Sequence, residues 1–548
     1  MSGPDAPGAA HPDGSAAPGG HGEPVGPGGR RPRRTAAALA LLAALALAAC
    51  SAPGGSGEAE DGPDVLRVLA GSEVKDMEPL LRRSGVKVRV SYAGTLDGAE
   101  QVASGGADGA YDAVWFSSNR YLSLVDGAAA RLSTETKIMA SPVVLGLKTA
   151  KARELGWTGG GVTWERIATA AREGRFTFGM TSPASSNSGF SALVGVAAAL
   201  SDADGALTAE QISAVTPKLK EFFSAQRLTS GSSGWLADAY AKEGGVDGIV
   251  NYESVLLGLD GLTLVYPSDG VVTADYPLTL LAAAEPGKKE LYDRLASWLR
   301  TPGVQREIMT VTHRRPIVPE VRPGPEFGSA PLLELPFPNR RSAADGLITA
   351  YLDEVRVPAR ALFVLDTSGS MSGERIDALR RALVTLTGAD TSASGVFSRF
   401  RSRENVVMIP FNDGAGPPRT FLLPERDPQP VLAEIRSYAE GLRASGGTAI
   451  YDGLKSAYVQ APSGGLDHYT SIVLMTDGEN TDGASYEDFE EFYRTLPEAL
   501  RRVRTFVVLF GESDVEEMTK VATLTRGAVF DARTGSLAAA FKEIRGYQ

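Results

Sequence analysis

Two arrangements of apolar positions alternate along most of the chain. Short runs rich in Val, Leu, Ile and Phe stop abruptly at small or hydroxyl residues, and between them lie longer stretches whose apolar residues recur every three or four positions. Short strands alternating with amphipathic helices mark βαβ units, so the expected fold class is α/β. Strand candidates at 65–70, 86–92 and 113–116 run into Gly71-Ser72, Gly94-Thr95 and Ser117-Ser118-Asn119. The run at 141–147 reads as a crossover into a second lobe, and 274–278 as the return. Within that lobe the loop from Thr181 through Ser185, Ser186 and Ser188 to Gly189 precedes an apolar helix over 190–200. In the last third, strands at 361–365 and 471–475 lead into Asp366-Thr367-Ser368-Gly369-Ser370-Met371 and Thr476-Asp477-Gly478, and Gly446-Gly447-Thr448 opens a helix. A strand over 505–511, a helix over 515–525, an edge strand at 527–530 and a closing helix to Arg545 complete the pattern.

The N-terminal region follows neither arrangement. Residues 1–29 carry almost no large apolar side chains and are expected to be a disordered leader, because they bury too little surface to offset their ordering entropy. Arg30, Arg31, Arg33 and Arg34 precede an apolar run ending at Ala49. It has about 14 residues, short of the ~20 that span a bilayer and right for a signal-peptide core. The segment Leu47-Ala48-Ala49-Cys50 resembles a bacterial lipobox, which makes Cys50 the expected lipidation site, 30–50 a lipoprotein signal peptide and 51–63 a flexible tether. Cys50 is the single cysteine among 548 residues, so no internal disulfide supports the fold. The net charge is -11, and without residues 1–49, which hold four arginines and three acids, it is -12. That balance argues against nucleic-acid binding, which needs a basic surface.

The order of strands and hydroxyl-bearing loops over 64–345 resembles the type 2 periplasmic solute-binding proteins, the two-lobed receptors of ABC importers. In open α/β sheets ligands bind beyond the strands' carboxyl ends. The resemblance implies that Ser72, Thr95, Ser117, Ser118, Thr181, Ser185, Ser186, Ser188 and Tyr252 face an inter-lobe cleft holding a small-molecule ligand. Caps and turns favour the same side chains, so each of these residues is equally readable as a local structural one. Glu253 and Asp269 would oppose an anion if they line that cleft. The Pro/Gly-rich stretch 319–338 reads as a boundary, followed by a helical segment near 343–354, and 346–357 reads as a linker.

The loops D-x-S-x-S, G-G-T and strand-T-D-G, in that order, resemble the von Willebrand factor A family over 358–548. A doubly wound, mostly parallel Rossmann-like sheet is implied. So is a metal-ion-dependent adhesion site made of Asp366, Ser368, Ser370, Thr448 and Asp477. Mg²⁺ is hard, takes six oxygens and dehydrates reluctantly, and hydroxyls with two carboxylates suit it. Mn²⁺ and Ca²⁺ are the alternatives. The absence of Cys and His from these loops argues against Zn²⁺. Such a site leaves a position for an Asp or Glu of a protein partner. Asp452 and Asp482 read as solvated loop acids.

No P-loop, H-E-x-x-H or G-x-S-x-G elbow occurs, and His313 and His468 have no triad context, so an enzyme is not expected. The expectation is a lipid-anchored binding protein on the outer face of the cytoplasmic membrane, docking a protein partner through the metal. The alternative is the substrate-binding lipoprotein of an ABC importer carrying an accessory A domain. An assembly scaffold would differ only in the partner.

Overall fold

The computed structural model describes residues 62–201, 204–328, 331–462, 467–533 and 536–548. The expected leader, signal segment, Cys50 and all but the last residues of the tether lie outside the described residues.

The first lobe is a 5-stranded sheet in the order Lys87–Tyr92, Val65–Ala70, Ala113–Trp115, Pro277–Leu281, Leu132–Lys137. Its first three strands are parallel, and Pro277–Leu281 runs antiparallel to both neighbours. The second lobe is a 6-stranded sheet built on Ser141–Lys148, Gly248–Tyr252, Phe178–Thr181 and Gln226–Ser230. The chain crosses between lobes twice, once between Lys137 and Ser141 and once between Ala274 and Pro277, where the sequence pattern places both crossings. At the second, buried Tyr276 takes a φ of 41°, a region that bulky non-glycine residues rarely adopt. The helix Asn187–Leu200 is apolar on every side and almost wholly buried, as an all-round hydrophobic helix must be.

The packing places both expected boundary segments against the first module. The stretch 319–338 lies along the first module: Val271 and Leu335 exchange backbone hydrogen bonds with 333–335 and 271 at 2.8 Å, and Phe337 meets Phe190 edge-on at 5.4 Å. The segment 346–357, expected as a linker with a helical segment near 343–354, is largely helical. It continues the helix Arg341–Ala350 into a π-helical turn, Tyr351–Val355. Leu347, Ile348, Tyr351, Leu352 and Val355 are buried in the first module's core. Their spacing is that of one helix face, and the second lobe's helix Ala209–Phe223 supplies the surface that covers it.

The last region is a 6-stranded sheet in the order Arg419–Leu422, Asn405–Phe411, Ala359–Asp366, Tyr469–Thr476, Arg504–Leu509, Val529–Asp531. All neighbours are parallel except the edge strand Arg419–Leu422. Side chains alternate across a strand. Ala361, Phe363 and Leu365 therefore enter a core shared with the helices Glu374–Val384, Gln429–Gly441 and Leu537–Arg545. Leu362 and Val364 enter the opposite core, against Ile450–Gln460, Tyr486–Thr495 and Val515–Leu524. Helices on both faces make this a doubly wound sheet, as expected.

Candidate metal centre and inter-lobe cleft

In the parallel sheet the strands Ala359–Asp366 and Tyr469–Thr476 run in register, Leu365 opposite Met475, so Asp366 and Thr476 end at one level. The Thr476 hydroxyl donates to Asp366 Oδ2 at 2.8 Å, and the Ser368 N–H donates to Oδ1 at 2.8 Å. Ser368 and Ser370 hydroxyls lie 2.9 Å apart, and Ser370 donates to Asp477 Oδ1 at 2.8 Å. Four of the five expected ligands thus form one hydrogen-bonded chain. Thr448 sits on a third loop, nearly buried, that backbone bonds stitch to the first: Gly369 N–H to Gly446 O at 2.9 Å and Ser445 N–H to Thr367 O at 2.8 Å. Among the described residues no hydrogen bond joins the Thr448 hydroxyl to the other four.

Several residues that shape this edge escape a motif reading. Asp413 accepts the Gly447 N–H at 2.6 Å, and Asp482 accepts the Thr448 N–H at 3.3 Å and the Thr481 hydroxyl at 2.8 Å. A Cβ on Gly447 would displace the Asp482 carboxylate from its bond to the Thr448 N–H. Asp482, expected to be a solvated loop acid, holds the Thr448 loop in place while remaining exposed. Arg375 donates to Asp477 Oδ2 at 2.7 Å from the first turn of the next helix. Asp413, Asp482 and Arg375 come from three separate segments, so no spacing rule links them.

Asp366 is fully buried. Burial pushes its carboxyl above the usual range, the Ser368 and Thr476 bonds pull it down, and the Asp477 charge pushes it up. Two carboxylates and three hydroxyls, with no nitrogen or sulfur, make a hard oxygen donor set. A desolvated acid beside a second one is short of positive charge, so these residues fit a small divalent cation. Among the described residues no three His, Cys, Asp or Glu side chains gather into a group able to hold a metal, so a site here rests on hydroxyls as much as on acids.

The first module's expected cleft residues separate into three kinds. Tyr252 and Ser117 meet across the lobes, the Tyr252 hydroxyl donating to Ser117 Oγ at 3.1 Å while accepting from Asn187 Nδ2 at 2.9 Å. Thr181, Ser186 and Ser188 bond to one another and to Ser233 at 2.7–3.1 Å inside the second lobe. Ser72 and Thr95 begin a 3-10 helix and an α-helix, Ser118 accepts the Arg120 N–H at 3.2 Å, and Ser185 leans on the Ser182 carbonyl at 3.4 Å. Glu253 does not bring bare charge to the cleft: Arg315 pairs with both its oxygens at 2.7 Å and Tyr266 donates to one at 2.6 Å. Asp269 accepts the Trp164 N–H at a helix N-terminus. Sequence reading missed Tyr276 and Arg314. The Tyr276 ring lies 6.2 Å from that of Tyr252, and the buried Arg314 guanidinium sits over it at 4.8 Å. Burial pushes the Tyr276 hydroxyl up and Arg314 pulls it back, leaving it at about 12.

Residues 79–309 match the family model described as bacterial extracellular solute-binding protein, and residues 361–479 match the von Willebrand factor type A domain. Among curated relatives, the Synechocystis "Uncharacterized protein sll0103" is 33% identical over 128 residues, 23% of this chain and 27% of that protein. Pig inter-alpha-trypsin inhibitor heavy chain H4 is 30% identical over 133 residues, 23% of this chain and 13% of that one. The chain therefore spans only a minor part of the length of these relatives. Among solved structures, the periplasmic binding protein AfuA from Actinobacillus pleuropneumoniae aligns at a TM-score of 0.42 and 12% identity, covering 53% of this chain and 98% of that one. A von Willebrand factor type A protein from Catenulispora acidiphila aligns at 0.28 and 20%, covering 35% and 43%. The two family matches and the fold show a chain that joins a two-lobed, bacterial solute-binding-protein-like module to a C-terminal von Willebrand factor A domain.

Proposed function

We propose that the A domain docks a protein partner through a divalent cation, Mg²⁺ by preference, held by Asp366, Ser368, Ser370, Thr448 and Asp477. The observation that carries this reading is the hydrogen-bonded chain from Asp366 through Ser368 and Ser370 to Asp477 at the carboxyl edge of the sheet. When bound, the cation would supply a centre whose mostly neutral ligands leave it selective for an incoming carboxylate. The residues themselves do the rest. Thr476 orients Asp366, Asp482 and Asp413 hold the Gly-Gly-Thr loop, and Arg375 limits the negative charge on Asp477.

In this reading the protein is extracytoplasmic, with Cys50 the lipid-bearing residue at the outer face of the membrane. The family matched by 79–309 is described as extracellular. Among the described residues no helix is long and apolar enough to cross a membrane. The Tyr252–Ser117 contact across the lobes favours a further role for the first module, holding a small solute between them. Several solved structures with this fold are named for ferric or sugar-phosphate ligands, and oxyanions, amino acids and peptides form the screening set here.

The test is capture from the native envelope fraction by the mature chain. Capture in Mg²⁺ that disappears on adding EDTA, and in Asp366→Ala, is the expected result. A partner retained equally in EDTA would overturn the reading.

A further inference from the structure

The A domain does not hang from the end of the first module. The described residues after the tether belong to one compact unit, and the A domain touches both lobes. On the first lobe, Glu100 of the helix Thr95–Ser104 accepts the Ala393 N–H at 3.1 Å. Ala393 begins the A-domain helix Ala393–Ser398, whose Phe397 is buried in the first module's core. On the second lobe, the Tyr547 ring meets Trp235 edge-on at 4.9 Å. Gly231 and Gly546 close the same seam: a Cβ on Gly231 would meet Tyr547 at 2.8 Å, and one on Gly546 would meet Ser185 Oγ at 2.6 Å. Arg504 lies over Trp235 at 5.0 Å.

The two gripping parts are themselves tied together. From the helix Leu537–Arg545, Lys542 donates to Ser394 Oγ at 3.2 Å and pairs with Asp390 at 2.5 Å. Arg545 donates to Ser398 O at 3.0 Å. The face that holds lobe one is therefore bonded directly to the face that holds lobe two. The gripped elements also carry the cleft's rim. Thr95 opens the helix bearing Glu100, and Ser185 packs against Gly546 on the side facing the A domain.

We propose that the A domain is a latch across the two lobes: its docked face holds the inter-lobe cleft shut, and solute exchange requires the helix Ala393–Ser398 to leave the helix Thr95–Ser104. A two-lobed receptor admits ligand by rotating one lobe about the crossings. With the A domain held to both lobes, that rotation must break a seam. The second-lobe seam is reinforced by the helix Arg341–Ala350 and its π-helical turn, where Tyr351 packs on Phe223 at 5.1 Å and donates to Gln226 at 3.1 Å. The same helix also reaches the first lobe, where the Tyr121 hydroxyl donates to Asp345 at 2.8 Å, so opening at the first-lobe seam breaks that bond together with the Glu100–Ala393 contact. Cleft opening and A-domain docking are then one equilibrium, and whatever biases either biases the other by the same factor.

The test uses the mature chain with Cys50→Ser and spin labels at Glu290→Cys on the first lobe and Lys220→Cys on the second, both exposed positions. Pulsed dipolar spectroscopy reads the inter-lobe distance in EDTA with no partner, so failure of the metal-dependent reading leaves this measurement untouched. The unaltered latch should give one narrow distribution. Glu100→Arg removes the acceptor. Ala393→Pro removes the donated N–H at a first helical position, where proline is well tolerated and folding is preserved. Each should raise a longer-distance population above the ~10% at which a minor conformer ordinarily lies. Distributions unchanged in both variants, with native circular dichroism, would overturn the latch. So would a parent chain already spread over both distances.

Discussion

Glu404 is 2% exposed and lies between two guanidiniums, those of Arg356 and Arg545. Burial pushes its carboxyl up, but Arg545 and Arg356 outweigh that and hold it below the ordinary glutamate range. A depressed folded pKa gives stability that is fully present above the unfolded value, about 4.3, and is lost as pH falls through the folded value. Denaturant midpoints should therefore hold steady from neutrality to about pH 5 at this residue's account, then fall. Glu404→Ala should cost about 3–5 kcal/mol at pH 7, because it strands two buried cations, and lose its penalty in acid. An equal penalty at pH 7 and pH 3 would contradict the assignment. At the metal edge, Arg375→Ala removes a competing cation from Asp477. Calorimetry should then show Mg²⁺ binding tighter by up to roughly fivefold, the scale of a partly exposed pair. Weaker binding would mean that Arg375 supports the site rather than limiting it. The motif residues proposed as ligands were readable because within each loop they lie close together in sequence. Asp413, Asp482 and Arg375 were not, because each acts on a loop to which no local spacing ties it.

Among elements, the second lobe's Asn187–Leu200 helix shows why the hydroxyl loop resisted a decision from sequence. Thr181, Ser186 and Ser188 are residue types that serve caps, clusters and ligands equally, and only their mutual bonds at 2.8–3.1 Å show them tied to one another. The same junction explains Gly189, whose Cβ would collide with the Thr181 backbone carbonyl. Gly189→Ala should destabilise the chain by about 1–3 kcal/mol through overpacking, read as a lowered denaturation midpoint. A neutral outcome would show that strand Phe178–Thr181 and the helix can separate freely. The helix at 341–355 is the converse case. Its apolar spacing is plain in the sequence, yet which surface it covers is decided by a helix more than a hundred residues earlier.

For the whole molecule, seams of this kind should abolish independent melting. Phe397 of the A domain is covered by the first module's core and Tyr547 packs on Trp235 of the second lobe, so each loses apolar cover if the first module unfolds, and calorimetry of residues 51–548 should give one cooperative transition. Two resolved transitions would show that the modules are held only by the chain between them. The sequence by itself determined the α/β class, the two lobes with both crossings, the A domain and the order of the loops proposed to hold the metal. Those features are written in periodicity and in residues that lie side by side, where local sterics and hydrogen bonding are enough. Tertiary structure alone decided which hydroxyls face one another, which acids are neutralised, and that the supposed linker is core. It also decided that the A domain touches both lobes. Most of these depend on groups far apart in the chain meeting in a buried place, where desolvation makes every unpaired contact costly and so selects the partner.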